Sequence, residues 1–123
     1  MTKENSNADQ LISVILNGIE DVKGQNINIL DLREIENTVC DYFIICEGTS
    51  NTQVNAIVNS IQKKVSKETK DKPWHIEGRD NAEWVLMDYV NVVVHVFQKH
   101  IREYYDIESL WGDAKTTEIK TSY

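Results

Sequence analysis

Cysteine, proline and basic charge are all scarce in this sequence. The 123 residues include two cysteines and one proline, and 13 Lys or Arg against 20 Asp or Glu give a formal net charge of −7. So few cysteines, in a chain long enough to bury a core, predict reduced and buried thiols at Cys40 and Cys46 rather than a disulfide framework. A negative surface repels phosphate backbones, which argues against a primary nucleic-acid binder and favours a basic protein partner. Solubility alone is the simpler explanation of this charge.

Long apolar runs are also lacking. No run approaches the length of a membrane span, and the first ten residues contain no signal-peptide core. We therefore expect no membrane partner and a cytoplasmic location. Polarity predicts a flexible N-terminus over residues 1–6 and a flexible polar tail over 113–123, with one domain at 7–112 between them.

The clearest pattern in the chain lies between residues 84 and 111. It begins with an alternating segment, which predicts a strand with three residues on one side: Trp84, Leu86 and Asp88. Two residues later, a run at 92–97 is apolar on both sides and is typical of a strand buried inside a sheet. The short connection, Val90-Asn91, predicts a hairpin. Apolar residues then follow in two groups, the first at helical spacing: Ile101, Tyr104 and Tyr105, then Ile107, Leu110 and Trp111.

The chain before residue 84 contains two amphipathic helices and three candidate strands. Helical spacing of apolar residues between 8 and 22 predicts the first helix. Apolar runs at 27–32 and 42–46 predict two strands, and the second run is apolar enough to lie inside the sheet. The second helix has one apolar stripe: Val54, Ile57, Val58, Ile61 and Val65. Residues 74–77 are the third candidate strand.

Candidate helix caps sit at the expected places. Asn7 or Ser6 can cap the first helix, and Gly24 can end it in a left-handed conformation. Ser50, with Gln53 three residues later, predicts a capping box at the start of the second helix.

These elements predict an α/β (α+β) fold, with a mixed five-stranded sheet flanked by helices. The helix between the second and third strands makes those two strands candidates for a parallel pair.

Two ordered strings of residues resemble the ribosomal silencing factor family (RsfS), also called Iojap-like. The first string comprises Asp31-Leu32-Arg33, Asp41-Tyr42-Phe43-Ile44-Ile45, Gly48 and Ser50. The second comprises Glu77-Gly78, Ala82, Trp84, Asp88, Val92-Val93-Val94-His95-Val96, Arg102, Tyr104-Tyr105, Glu108 and Leu110-Trp111. The resemblance covers roughly residues 8–112. It implies a nucleotidyltransferase-like topology that lacks the metal-binding carboxylates of those enzymes.

The resemblance also implies a function. Members of this family bind the large ribosomal subunit through its protein fourteen (universal L-fourteen), block joining of the small subunit and so repress translation. They also act in large-subunit biogenesis and are often homodimers, which raises self-association as an expectation here. For this chain we expect no catalysis, no cofactor, no metal and no sequence-specific nucleic-acid binding.

The resemblance places the ribosome contact on the Trp84 strand and the segments after it. The expected contact residues are Trp84, Leu86, Asp88, Tyr104, Glu108 and Trp111. Trp84 would supply a buried anchor, and Asp88 and Glu108 would face basic groups of the ribosomal protein. The residues alone favour the opposite arrangement, in which Trp84 packs under the C-terminal helices with Tyr104 and Trp111.

An enzymatic alternative rests on Gly48-Thr49-Ser50 at the start of the second helix. Amide groups at a helix N-terminus can hold a phosphate, and a Gly-Ser pair after a strand is how nucleotidyl transferases begin their site. Those enzymes also need two carboxylates one residue apart to hold Mg²⁺, and no Asp-x-Asp occurs in the sequence. The simpler interpretation of this segment is a capped helix start.

Two other chemistries have the right residue types without the right spacing. Zinc ligation would draw on His75, His95, His100, Cys40 and Cys46, none of which has Cys-x-x-Cys or His-x-x-x-His spacing. Nucleophilic catalysis would combine Cys46 or Ser50 with His95 and Asp88, but no Gly-x-Ser-x-Gly elbow is present.

The hairpin is where the chain departs from the family. Family members usually have Gly-Asp where this chain has Val90-Asn91. A two-residue primed turn needs positive φ at its first position, which a β-branched valine resists, so a longer loop or another turn type is the alternative.

Overall fold

The structure is a computed structural model that describes residues 2–123, with side chains described from residue 8 onward. Four helices and six strands follow one another along the described chain: α1 (Thr2–Asp21), β1 (Gln25–Asp31), β2 (Tyr42–Gly48), α2 (Asn51–Thr69), β3 (His75–Glu77), β4 (Trp84–Asp88), β5 (Val92–Gln98), α3 (Lys99–Tyr105), α4 (Ile107–Leu110) and β6 (Lys115–Ile119). None of these helices is long and apolar enough to span a membrane.

The six strands form one mixed sheet in the order β3-β4-β5-β2-β1-β6. Its one parallel pair is β2 with β5, in register from Tyr42 opposite Val92 to Gly48 opposite Gln98. The predicted parallel pairing of the second and third strands is therefore wrong. A short β3 with two polar residues, His75 and Glu77, takes the sheet edge, whereas the valine-rich and buried β5 takes the place beside β2.

The two central strands confirm the prediction from their apolar runs. Residues Val92 to Phe97 of β5 are all buried, as are the last six residues of β2. Strands with neighbours on both sides and elements over both faces are mostly apolar, and β-branched valines suit that pleated environment. The buried polar residues here, Glu47 in β2 and His95 in β5, each have a hydrogen-bond partner within the chain.

Helices α1 and α2 pack against one face of the sheet and form the main core with it. The buried residues of α2 are the predicted stripe: Val54, Ile57, Val58, Ile61 and Val65. Each fully buried aliphatic side chain of this kind contributes about 1.5–3 kcal/mol. The helices can approach closely because Gly18 has no side chain. A Cβ atom at this position would lie 2.9 Å from Cα of Ile61. Ser60 fixes the contact further by donating its Oγ hydrogen to the Gly18 carbonyl at 2.7 Å.

Both ends of α1 differ from the predicted caps. The helix begins at Thr2, so Ser6 and Asn7 lie within it, and their side chains fall outside the described part of the chain. At the other end Lys23, with φ of 60°, holds the left-handed position predicted for Gly24. Gly24 instead donates its N–H to the Ile19 carbonyl at 2.9 Å, where a side chain would meet the Ile19 methyl group at 2.4 Å.

The predicted mixed sheet with flanking helices is confirmed, and it has a sixth strand. β6 lies within the stretch predicted to be a flexible polar tail and pairs antiparallel with β1, from Ile119 opposite Ile27 to Lys115 opposite Asp31. Four of its five residues are exposed. An edge strand of this kind is held by backbone hydrogen bonds, which leave no apolar alternation in the sequence.

Candidate functional site

The second face of the sheet carries most of the predicted contact residues. Trp84, Leu86 and Asp88 share this face, as their alternation predicts, and each is half-buried. Their neighbours across β5 are Phe97, His95 and Val93. Short helices α3 and α4 lie over this face, where a smaller apolar cluster includes Phe43, Ile45, Phe97 and Ile107. Because α3 and α4 are short, Trp84 and Leu86 keep part of their surface open.

Trp84 is fixed in position on this open surface. Its indole Nε1–H donates to Nδ1 of His95 at 3.1 Å. Its ring stacks on Phe97 with centroids 4.9 Å apart and meets the ring of Tyr105, in α3, at 5.0 Å. The arrangement lies between the two alternatives from the sequence, because one side of the indole packs against the chain and the rest is open.

His95 supports Trp84 from inside the sheet. The imidazole is 4% exposed, and burial lowers the pKa of His95 to about 4. Because Nδ1 accepts the indole hydrogen, the neutral ring carries its own proton on Nε2. That nitrogen meets no hydrogen-bond partner among the described residues. The ring packs edge-on against Phe43, with centroids 4.5 Å apart.

Glu108 is engaged within the chain. Its Oε1 and Oε2 accept hydrogen bonds from Arg102 Nε and Nη2 at 3.0 and 2.9 Å. Asn28 also donates to Oε2, at 2.6 Å. The hydrogen bonds from Arg102 hold the pKa of Glu108 below its ordinary value, against the opposing effect of partial burial. A carboxylate in this position fastens α4 to the sheet through Arg102 and Asn28.

Arg102 extends the same network to the strands. Its Nη1 donates to Glu47 Oε1 at 3.1 Å and to the Asn26 carbonyl at 2.6 Å. Arg102 and Glu47 are 8% and 4% exposed, so this is a buried ion pair with a second carboxylate, Glu108, at its rim. Sequence reasoning missed this role. The only signal is that Glu47 ends an apolar strand and Arg102 lies among aromatic residues.

The remaining predicted residues border the open surface. Trp111 is half-buried and meets Phe43 edge-to-face, with centroids 5.6 Å apart. Tyr104 is 80% exposed and touches Tyr105 alone among aromatic neighbours in the described chain. Leu110, between them, is also exposed. Trp84, Leu86, Tyr104 and Trp111 thus form a partly apolar surface over α3, α4 and β4, with Asp88 at its far end.

The Gly48-Thr49-Ser50 segment is a capped helix start. Ser50 Oγ accepts the Gln53 N–H at 3.1 Å, as predicted. The other half of the capping box shifts by one residue, because Gln53 Oε1 accepts from the N–H and the hydroxyl of Thr49 at 2.7 and 2.9 Å. The amides of Thr49 and Gln53 are therefore used inside the chain, and the adjoining Glu47 is paired with Arg102.

The other candidate chemistries are not assembled. Cys46 and His95 belong to clusters on opposite faces of the sheet. Burial raises the pKa of Cys46 to about 12 and that of Cys40 to about 11, so both thiols are protonated. Within the described residues, no group of three or more His, Cys, Asp or Glu side chains could hold a metal ion.

Comparison with known proteins gives consistent results over nearly the whole chain. A family model described as ribosomal silencing factor during starvation matches residues 5–122. A ribosomal silencing factor RsfS from Halalkalibacterium halodurans is 40% identical over 111 residues, which cover 90% of this chain and 93% of that protein. A crystal structure of a Chromobacterium violaceum protein aligns with a TM-score of 0.79 at 37% identity, covering 93% of each chain.

A more distant relative carries a different name. The mouse protein called mitochondrial assembly of ribosomal large subunit protein 1 is 37% identical over 73 residues. These cover 58% of this chain and 32% of the mouse protein.

Proposed function

Because the chain belongs to the ribosomal silencing factor family, we propose that it binds the large ribosomal subunit through protein fourteen. Bound there, it blocks joining of the small subunit and represses translation in the cytoplasm. We further propose a role in assembly of the large subunit, which the name of the mouse relative supports. The proposed action is steric and needs no catalysis or cofactor, since a bound protein excludes the small subunit simply by occupying its docking position.

One observation carries this proposal beyond family membership, namely the fixed and half-open indole of Trp84. Binding energy at protein interfaces concentrates in a few aromatic or arginine anchors near the centre of the contact. An anchor that is already in its bound orientation loses little conformational freedom on binding. The His95 hydrogen bond and the Phe97 stacking provide that order for Trp84.

The proposed contact surface follows from what surrounds this anchor. Leu86 continues the apolar surface along β4, and Trp111 and Tyr104 border it from the C-terminal segments. Asp88 offers a carboxylate to a basic partner. Glu108 contributes indirectly in this proposal, because its bonds to Arg102 position α4 and therefore Trp111.

The Trp84 anchor predicts a specific mutant effect. Trp84→Ala should weaken binding to purified large subunits by about 2 kcal/mol or more, the scale of an interface hot spot. The same variant should no longer block joining when separated subunits are mixed and followed on a density gradient. Lys63→Ala, an exposed change on α2 at the opposite face of the sheet, is the control and should bind like the unchanged protein.

Two results would contradict the proposal. If the unchanged protein at saturating concentration leaves subunit joining untouched, the function is wrong. If Trp84→Ala keeps its fold by circular dichroism and still blocks joining, the function stands and the proposed surface is wrong.

A further inference from the structure

Three large apolar side chains lie exposed together beyond the Trp84 surface. Val39, Trp74 and Val90 are 92%, 78% and 59% exposed. With Val93 and Asp88 they line a surface depression of about 400 Å³, which we call the hairpin-end surface. Apolar side chains scattered singly over a protein are ordinary, but a contiguous exposed group marks an interaction site.

Backbone hydrogen bonds hold the Trp74 and Val39 segments to the β4–β5 hairpin, which itself carries Val90. Trp74 donates its N–H to the Asp88 carbonyl at 2.7 Å. The segment that carries Val39 is fixed two residues later, where Asp41 donates to the Asn91 carbonyl at 2.9 Å. Val90 itself has φ of 76°, an unfavourable conformation for valine. The chain thus keeps an apolar residue outward at a strained position, and such strain is concentrated at functional sites.

Carboxylates surround this apolar group. Asp88 lines the depression, and Asp41 is exposed beside it. Burial is the main cause of the raised pKa of Cys40, and the charges of Asp88 and Asp41 raise it further, so both carboxylates lie close to that thiol. Burial likewise raises the pKa of Tyr89, and the charge of the nearby Asp71 raises it further. Among the basic side chains nearby, Lys72 lies next to Asp71 in sequence and His75 contacts Glu77 at 3.2 Å.

We propose that the hairpin-end surface binds a lysine- or arginine-rich protein segment of the large ribosomal subunit. The proposal rests on the function proposed above and extends its contact surface, because Asp88 belongs to both surfaces. Long basic side chains match both properties of the site, since their aliphatic stems can lie on Val39 and Val90 while their charged ends reach Asp41 and Asp88. The open ring of Trp74 also suits a guanidinium group. A phosphate backbone, by contrast, would be repelled by the carboxylates.

Binding to salt-washed large subunits tests this surface with the full-length chain. Trp74→Ser and Val39→Ser should each weaken the Kd about tenfold, which corresponds to about 1.4 kcal/mol. Their unfolding midpoints should stay close to that of the unchanged protein, because both side chains are exposed. Asp41→Asn should slow association, whereas Glu68→Gln, an exposed control on α2, should not.

A photo-reactive residue at position 39 identifies the occupant. We expect crosslinking to a basic stretch of a large-subunit protein. Crosslinking to ribosomal RNA, or none while the labelled protein binds normally, would overturn the inference. If Trp84→Ala weakens binding but Trp74→Ser and Val39→Ser bind normally, only this inference fails. If the unchanged protein does not bind large subunits at all, both proposals fail.

Discussion

At the scale of single residues, Val90 shows how a turn can be built against the preference of its side chain. The Asn91 N–H donates to the Tyr89 carbonyl at 3.0 Å, which closes a three-residue turn around Val90. With φ of 76° at its centre this is the rare and strained form of the γ-turn. Asp88 compensates locally, because its Oδ1 accepts the Val90 N–H at 2.7 Å. The sequence predicted both the two-residue connection and the conflict with valine, but not the type of turn.

Replacing this valine with glycine should stabilise the protein. Relief of the strained φ contributes about 1–3 kcal/mol, and the greater freedom of glycine in the unfolded chain costs about 0.5–1 kcal/mol. Val90→Gly should therefore raise the free energy of unfolding by about 1 kcal/mol in urea denaturation. Val39→Gly is the matched control, since Val39 is exposed without a positive φ, and it should be slightly destabilising. A lower midpoint for Val90→Gly would mean that the turn stores no such strain.

At the scale of secondary-structure elements, Arg102 joins α3 to the strands and to α4. One guanidinium group binds Glu47 at the end of β2, Glu108 in α4 and the Asn26 carbonyl in β1. These short elements bury few apolar side chains of their own, as Ile107 alone is buried in α4. Their position over the second face therefore depends on this polar network.

Breaking this buried network should lower the free energy of unfolding much more than breaking a surface ion pair does. Arg102→Met leaves the buried carboxylate of Glu47 without its cationic partner and should lower the free energy of unfolding by about 3–5 kcal/mol. Arg33→Met is the control, because it removes an exposed pair with Asp31 and should cost about 1 kcal/mol or less. The two losses are compared by urea denaturation, and equal losses would contradict the structural role of the buried pair.

The elements were predictable where burial imposes a period on the sequence. The stripe of α2 and the buried run of β5 follow directly from side-chain pattern, because α2 is buried along one face and β5 on both faces. Partners of strands were not predictable in this way. The parallel neighbour of β2 is β5, 50 positions away in register, and no local pattern records such a choice. The edge strand β6 was not predicted because it is held by main-chain hydrogen bonds to β1, and its exposed side chains form no apolar pattern.

At the scale of the whole molecule, the two faces of the sheet differ in what covers them. Two long helices close the first face, whereas α3 and α4 leave the second partly open around Trp84. The sequence alone predicted that Trp84, Leu86 and Asp88 lie on one side of a strand. It could not reveal that His95 holds the indole or that Glu108 is occupied by Arg102, since both depend on contacts between distant elements. Val39 and Trp74 lie in irregular segments, where no periodicity distinguishes an exposed side chain from a buried one.

Global stability should depend on pH through His95. Burial lowers the pKa of His95 to about 4 in the folded chain, below its ordinary value of 6.5. The unfolded chain therefore binds a proton more readily between these values, and stability present above pH 6.5 is lost as the pH falls towards 4. His95→Gln should flatten this part of the urea-denaturation profile, whatever its effect at neutral pH. His100→Gln, an exposed control, should leave the profile unchanged, and an equally steep profile for both variants would contradict this assignment.

The pairing of β2 with β5 has a consequence for the newly made chain. Tyr42 and Val92 are register partners separated by 50 positions. At a synthesis rate of about 5–20 residues per second, β2 leaves the ribosome about 2.5–10 seconds before β5. During that interval the apolar side chains of Ile44 and Ile45, fully buried in the finished protein, have no β5 to pack beside. Each copy therefore passes through a period in which its central strand is open to wrong partners, and the length of that period is set by the speed of translation.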